Sequence, residues 1–270
     1  MERTTEMPRT IKEQDELILA SGLRGEKRSQ LEDAKTRELI LKTQGFEILS
    51  NLPEKGIDDE PSLVAANHYI RPPMARRDVS TSRDIATSGA LIATAVTLFS
   101  QRDILFVQDG EINDKIMGFS CLDRKTQIAF MSVYDFIPAY KDPTKNSTTA
   151  RRILGALKKG QNVAIYPEGT VDLRTRKGIS YLMRPDRLRE FNPNFEILLN
   201  LVLKGGFQVI PVSVYSVGKD YHVTLHESIS AFCPNVAEEV ITRIRSGLPR
   251  RLHGFYKNRL HAPATTPALQ

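Results

Sequence analysis

Short runs of apolar residues alternate with longer amphipathic stretches along most of the chain. The stretches with the spacing of helices cover residues 84–100, 145–159, 186–204 and 235–246. The apolar runs that predict strands cover residues 62–66, 103–107, 127–133, 162–166, 207–214 and 221–225. Strands that alternate with helices are typical of an α/β fold, so we predict a mostly parallel central sheet flanked by helices.

The beginning of the chain has a different pattern, in which isolated apolar residues lie among many charges. Residues 9–45 are predicted to be helical, and Gly22 and Gly25 are predicted to divide them into two helices. Residues 46–61 contain two prolines and a glycine and are predicted to form a polar connector.

These patterns predict three regions. An N-terminal helical segment covers residues 1–45, an α/β domain covers residues 46–260, and a tail rich in Pro, Ala and Thr covers residues 261–270. A tail of this composition is expected to be disordered.

Composition and charge narrow the class of protein. The chain has 270 residues, is 40% hydrophobic and 26% charged, and carries a formal net charge of +6. A basic chain favours an anionic partner, either an anionic membrane surface or nucleic acid. The longest mainly apolar stretch, residues 85–99, is shorter than the roughly 20 residues that a membrane-spanning helix requires. We therefore expect a cytoplasmic protein that is soluble or peripheral to the membrane.

Two predicted strands end in residues that are able to carry chemistry. Asn67 and His68 follow the apolar run at 62–66, and Glu168, Gly169 and Thr170 follow the run at 162–166. The carboxyl ends of strands form the ligand-binding edge of an open α/β sheet. A histidine there acts as a general base when a carboxylate holds its other ring nitrogen, and otherwise makes an ordinary loop hydrogen bond.

Taken in order along the chain, these residues resemble the motif blocks of the glycerolipid acyltransferase family, the lysophosphatidate acyltransferases and their relatives. The four blocks are Asn67-His68, residues 136–141, residues 166–170 and residues 209–212, within a resemblance that covers roughly residues 45–230. The third block, which contains Pro-Glu-Gly-Thr, is the most specific of the four. The proline in the fourth block, Pro211, is expected at the edge of the sheet or at the start of a strand.

The resemblance implies that His68 is the catalytic base and that an aspartate orients its ring. Family members usually have this aspartate five positions after the histidine, where this chain has Pro73. An inserted loop would restore the pair through Asp84, which begins the next predicted helix, and Asp78 is the alternative. Asp84 also has the simpler explanation of a carboxylate in the first turn of a helix.

The resemblance also implies a site for the acceptor. Lys141 stands where the family usually has an arginine that holds the acceptor's phosphate, and Glu168, Gly169 and Thr170 match the third block. Arg174 is close enough in sequence to supply the arginine that often follows this block in relatives. Lys141 would otherwise be a solvated loop lysine, and Glu168 would otherwise bind the amides of its own turn.

The activity implied is acyl transfer in phospholipid biosynthesis, without a metal or another cofactor. The donor would be acyl-CoA or acyl-carrier protein, and the acceptor a lysophospholipid or glycerol phosphate. A basic segment at 243–261, with leucines and aromatic residues between its six Arg/Lys, fits an anionic membrane better than nucleic acid, for which no motif is present. The simpler alternative for this segment is a solvated basic face that covers the domain. The alternatives are a lipid-binding relative that has lost the catalytic pair, and a nucleic-acid binder driven by positive charge.

Overall fold

The computed structural model describes residues 7–51, 60–67, 88–109, 133–140, 143–168, 188, 190–192, 194–218, 220–231 and 233–256. Its α-helices are α1 (Ile11–Leu23), α2 (Gln30–Thr43), α3 (Ser88–Ser100), α4 (Pro143–Lys158), α5 (Asn194–Lys204) and α6 (Val236–Ser246). Its strands are β1 (Ile48–Asn51), β2 (Ser62–Ala66), β3 (Ile104–Asp109), β4 (Phe136–Ala139), β5 (Asn162–Ile165), β6 (Gln208–Val217) and β7 (Asp220–Leu225). Two short 3-10 helices, Arg250–Leu252 and Gly254–Tyr256, follow α6.

The strands form one mixed sheet in the order β1-β7-β6-β2-β5-β3-β4. Every pairing among β2, β3, β4, β5 and β6 is parallel, whereas β7 runs antiparallel to β6 and β1 runs parallel to β7. The α/β prediction with a mostly parallel sheet is therefore confirmed, as is the helical segment at the N-terminus.

Strand β2 lies at the centre of the sheet and of the core. All five of its residues are buried, and its hydrogen-bonded neighbours are β5 and β6. A parallel strand with both faces covered has a continuous apolar sequence, which explains the run Leu63-Val64-Ala65-Ala66.

The N-terminal region forms two helices, as predicted, although Gly22, which was expected to help divide them, lies inside α1. The side chain of Thr10 accepts a hydrogen bond from the backbone N–H of Glu13 (3.1 Å), and Ser29 does the same for Glu32 (3.3 Å). Gly25, with φ at 72°, lies between the two helices in the left-handed conformation that ends a helix.

A carboxamide joins α2 to the sheet. The side chain of Gln30 donates to the carbonyl of Ile104 (2.9 Å) and accepts from its backbone N–H (2.8 Å), at the start of β3. Ile40 and Leu41 of α2 belong to the same hydrophobic core as the central strand. The boundary at residue 45 stays a prediction, and the tail at 261–270 lies outside the described residues.

Two elements differ from the sequence-based expectation. Residues 48–51 form β1 and pair with β7, although they were expected in a polar connector. Three of these four residues are exposed, so no apolar run marks the strand. Helix α5 begins at Asn194 and not at 186, because Pro193 precedes it and residues 190–192 are not helical.

The predicted strand at 127–133 lies outside the described residues except for Val133, which is not in a strand. Strand β4 begins three residues later and contains Pro138. It is short and lies at the end of the sheet, where a proline is tolerated.

The expectation for Pro211 is wrong, because β6 is an interior strand and Pro211 is its fourth residue. The proline lies opposite His226, one step beyond the last ladder pair, Val212 with Leu225. The backbone N–H of His226 donates to the Pro211 carbonyl (3.0 Å), but Pro211 has no N–H to return the second bond of an antiparallel pair. The regular ladder therefore ends at Val212, and the isolated bridge of Val209 with Ile229 lies beyond it.

Helix α4 is the crossover between β4 and β5. Both strands run in the same direction, so α4 runs back from the carboxyl edge of the sheet to its amino edge. It ends in a Schellman motif, in which Gly160 (φ 81°) donates to Leu157 (2.9 Å) and Gln161 donates to Ala156 (3.1 Å). Among the helices that the structure describes, none is long and apolar enough to cross a membrane.

Candidate functional site

The sequence predicts seven site residues, and Glu168 is the one that the described part of the chain contains. The others lie outside it, as does the alternative aspartate: His68, Asp84, Lys141, Gly169, Thr170, Arg174 and Asp78. Their roles stay predictions. The described residues include the strand ends from which the chain continues to these positions.

The ends of β2 and β5 lie side by side at the carboxyl edge of the sheet. The two strands are parallel and adjacent, with Ala65 in register with Ile165. Asn67 follows two residues after Ala65, and Glu168 follows three residues after Ile165, and both are buried (2% and 8% exposed). Adjacent strands are about 4.8 Å apart, so the chain segments that bear His68 and Glu168 leave the sheet from neighbouring positions.

The side chain of Asn67 fixes the direction in which the chain leaves β2. Its carboxamide donates to the carbonyl of Val214 (2.9 Å) and accepts from the backbone N–H of Val214 (2.7 Å). Its own backbone N–H reaches the carbonyl of Val212 (3.4 Å). The carboxamide thus extends the β2–β6 pairing by one step, and His68 is the next residue in the chain.

The turn after β5 is supported by residues 190–192. The carbonyl of Pro167 accepts from the backbone N–H of Asn192 (2.8 Å), directly before Glu168. Phe191 packs edge-to-face against Phe195 and Tyr256, with ring centroids 5.7 and 5.8 Å apart. The backbone N–H of Phe191 also donates to the hydroxyl of Tyr256 (2.8 Å). Residues at the C-terminal end of the described chain therefore hold the turn that carries Glu168.

Gly254 allows this C-terminal segment to lie close to residue 188. Its φ is 50°, and a Cβ added there would overlap the carbonyl oxygen of Leu188. The backbone N–H of Leu188 donates to the carbonyl of Leu252 (2.9 Å), so the two segments are in direct contact. Glycine is required here both by conformation and by space.

The end of β4 carries the second motif block. The hydroxyl of Thr149 on α4 donates to the carbonyl of Pro138 (2.9 Å), which ties the helix to the strand. The ammonium of Lys145 lies 5.2 Å from the ring centroid of Tyr140, a cation–π contact. Lys141 follows Tyr140 directly in sequence. Since β3 separates β4 from β5, this block lies about 10 Å along the sheet from the turn at Glu168.

Elsewhere in the fold, a histidine donates a hydrogen bond to a serine. In a catalytic nucleophile–base pair the direction is the opposite, because the serine donates to the histidine. The hydroxyl of Ser213 donates to the carbonyl of Ile244 (2.6 Å), so its contact with Nε2 of His226 (2.7 Å) requires the imidazole to be the donor. Burial, and to a lesser degree the charge of Arg243, lowers the pKa of His226 to about 4. This pair is therefore structural, because a neutral imidazole that donates its proton does not activate the hydroxyl.

No group of three or more His, Cys, Asp or Glu side chains is placed to hold a metal ion in the part of the chain that the structure describes.

The structure adds contacts at the site that sequence reasoning did not find. Asn67 was already part of the first motif block, but its position at the end of an apolar run was also a signal for a structural role, because a buried amide there needs backbone partners. Nothing local marked Phe191, Tyr256 or Gly254, since the contacts that join Phe191 to Tyr256 and Gly254 to Leu188 span 65 and 66 residues.

The comparisons with known proteins give a fold similarity only. No protein-family model matches the sequence, and no curated protein matches it. The structure is similar to the crystal structure of the 1-acyl-sn-glycerophosphate (LPA) acyltransferase PlsC from Thermotoga maritima. The match has a TM-score of 0.45 and 14% sequence identity, and it covers 88% of this chain and 94% of that one. Similarity at this level does not identify an activity, which has to come from the residues of this chain.

Proposed function

We propose that this protein is an O-acyltransferase that moves a fatty acyl group from a thioester donor to a hydroxyl of a lysophospholipid or glycerol phosphate. The observation that supports this most is the adjacency of two strand ends. The motif blocks that contain His68 and Glu168 are about 100 residues apart in sequence, yet they continue from neighbouring parallel strands at one edge of the sheet.

In the proposed reaction, His68 removes the proton of the acceptor hydroxyl as that oxygen attacks the thioester carbonyl carbon. The tetrahedral intermediate then collapses, the carbon–sulfur bond breaks, and the imidazolium returns its proton to the leaving thiolate. Asp84 holds the ring of His68 in the required tautomer and stabilises the imidazolium, and Asp78 is the alternative for this role. The atoms and charges balance without a metal or a covalent acyl-enzyme.

The acceptor is proposed to bind at the third block and the end of β4. A phosphate near Lys141 and Arg174 would place the acceptor hydroxyl towards the histidine. Glu168, with Gly169 and Thr170 after it, would hold the glycerol part. The burial of Glu168 at a strand end supports a positioned carboxylate. Lysine in place of arginine gives a charge without the planar bidentate fork, which favours weaker phosphate binding.

The proposed location is cytoplasmic and peripheral to an anionic membrane, because the acceptors of this class lie in a bilayer and the chain carries a net charge of +6. The proposed role is phospholipid biosynthesis. A catalytically degraded lipid-binding relative is the second candidate, and Pro73 favours it because this residue stands where the family has its aspartate.

Acyl transfer is tested with acyl-CoA and with acyl-carrier protein as donors, and with lysophosphatidate and glycerol 3-phosphate as acceptors. His68→Ala and Asp84→Asn are both expected to reduce kcat by at least about 100-fold, since general-base catalysis contributes roughly 10²–10⁴. His222→Gln, whose ring stacks on Tyr215 in β6, is the matched histidine control and should keep its activity.

Activity that survives Asp84→Asn but is lost in Asp78→Asn would assign the orientation of the His68 ring to Asp78 and would still support the proposed enzyme. No transfer with any donor and acceptor pair would exclude the proposed reaction. Binding of lysophosphatidate vesicles without turnover would then support the lipid-binding relative.

A further inference from the structure

Helix α4 exposes a group of basic residues and has no acidic residue of its own. Residues 143–167 include five Lys/Arg residues and neither aspartate nor glutamate. All five cations are exposed: Lys145, Arg151, Arg152, Lys158 and Lys159, the last directly after the helix. Within the described residues, none of them forms an ion pair with a carboxylate. We call this surface the α4 cationic face.

The cations form two rows on one side of the helix. Lys145, Arg152 and Lys159 are seven residues apart, as are Arg151 and Lys158, and seven residues make two helical turns. The opposite side, with Ile153 and Leu157, is buried against the sheet. The α4 cationic face is therefore a continuous stripe about 20 Å long, at 1.5 Å per residue.

The direction of α4 distinguishes between the anionic partners that this face could bind. The helix starts at the carboxyl edge of the sheet, where Asn67 and Glu168 lie, and ends at the amino edge. A flat bilayer placed against the carboxyl edge would contact only the first turn of α4. The stripe also carries no exposed large apolar residue that would insert between lipids, as interfacial helices do. Its length and charge fit an acidic protein that docks alongside the domain.

We propose that the α4 cationic face is the docking surface for an acidic carrier protein that delivers the acyl group as a thioester. This inference rests on the proposed function and selects between its two donors. The carrier's acidic surface would lie along α4 and its thioester arm would extend past the first turn of the helix to the carboxyl edge. After transfer the thiol stays on the carrier, which then dissociates. Acyl-CoA has no acidic protein surface and would not use this stripe.

The test compares two triple variants with the same net charge. Arg151→Glu, Arg152→Glu and Lys158→Glu change the α4 cationic face and leave Lys145, near the second motif block, intact. Arg9→Glu, Lys12→Glu and Lys42→Glu change three exposed cations elsewhere. Both variants lower the overall charge equally. A difference between them therefore shows an effect of where the charges lie and not of the net charge, which steers any anionic partner. Circular dichroism and thermal unfolding verify that both variants fold.

Binding of holo-acyl-carrier protein to the full chain is measured by calorimetry at low and high salt. We expect the α4 variant to bind about tenfold more weakly or worse, the control variant to bind within about twofold of wild type, and the difference to shrink at high salt. In turnover, KM for the acyl-carrier donor should rise in the α4 variant, whereas KM for acyl-CoA should not change.

Equal loss in both variants, no loss in either, or no carrier binding to the wild type would overturn the proposal. Loss of binding to phosphatidylglycerol vesicles in the α4 variant, with carrier binding unchanged, would overturn it in favour of a membrane contact. Transfer from acyl-CoA without carrier binding would refute the proposed docking surface but support the proposed acyltransferase activity. Carrier binding that depends on α4, without any acyl transfer, would support the docking surface but refute the acyltransferase activity.

Discussion

Replacement of Asn67 by alanine tests the carboxamide that ends β2. The change removes two hydrogen bonds to Val214, at 2.9 and 2.7 Å, in a region where Asn67 is 2% exposed and Val214 is fully buried. It leaves the N–H and C=O of Val214 without partners, and each unsatisfied buried group costs about 1–3 kcal/mol. We therefore expect the free energy of unfolding to fall by about 3 kcal/mol, a large part of the total stability of a domain.

Urea unfolding measures this loss through the midpoint at unchanged slope, and hydrogen exchange at the amide of Val214 locates it. The matched control is Asn162→Ala. Its carboxamide also ties strand ends together, accepting from Ser62 (3.0 Å) and donating to Ser100 (3.2 Å), but at the amino edge of β2. Under the proposed function, kcat per folded molecule should fall for Asn67→Ala and stay unchanged for Asn162→Ala.

Asn67→Asp removes the hydrogen bond that the Asn67 side chain donates and leaves the one that it accepts. A carboxylate still accepts from the N–H of Val214 but faces the carbonyl of Val214 without a proton to donate. The new carboxyl should therefore have a raised pKa, and the variant should lose stability as pH rises through that value. A loss below about 1 kcal/mol in Asn67→Ala, or unchanged exchange of the Val214 amide, would refute the reasoning.

Three further outcomes are expected. Gly254→Ala should destabilise the fold by about 3 kcal/mol, because its Cβ overlaps the Leu188 carbonyl, whereas Gly25→Ala, also at positive φ but with open space around it, should cost about 1 kcal/mol in the same thermal unfolding assay. Because the pKa of His226 is lowered to about 4, its contribution to stability is complete above about pH 6.5 and lost as pH falls towards 4. Partial exposure limits that loss to about 2 kcal/mol, and the stability of His226→Gln should depend less on pH over this window, as urea midpoints at pH 7 and 4.5 would show. Tyr256→Phe should cost about 1 kcal/mol, because the backbone N–H of Phe191 loses its acceptor; an unchanged unfolding midpoint would contradict that contact.

The parts of the fold that the sequence predicted are those with a strong local signal. Helix α4 has an amphipathic pattern and a glycine after its end, and β2 is an unbroken apolar run between turn residues. Strand β1 was missed because it is short and mostly exposed, and its formation depends on pairing with β7, about 170 residues later in the chain. Pairing at such a distance overrides local propensity and leaves no local pattern.

The candidate site divides in the same way. The motif residues could be found from the sequence because a histidine and a glutamate directly after apolar strands are recognisable by residue type and position. The supporting contacts were not, because a carboxamide that pairs with Val214 and a tyrosine that holds Phe191 act across 147 and 65 residues. Side chains of these types occur on any surface, and only the folded chain shows what they bind.

The central position of β2 has a consequence for synthesis of the chain. Its two neighbours in the sheet, β5 and β6, begin 100 and 146 residues later. At about 5–20 residues per second, a ribosome needs roughly 7–30 s to deliver β6 after β2 has been made. During that time a strand whose last four residues are apolar has neither of its partners. Non-local pairing of this kind slows folding and favours aggregation. The nascent chain is therefore expected to depend on chaperones until residue 217 has emerged.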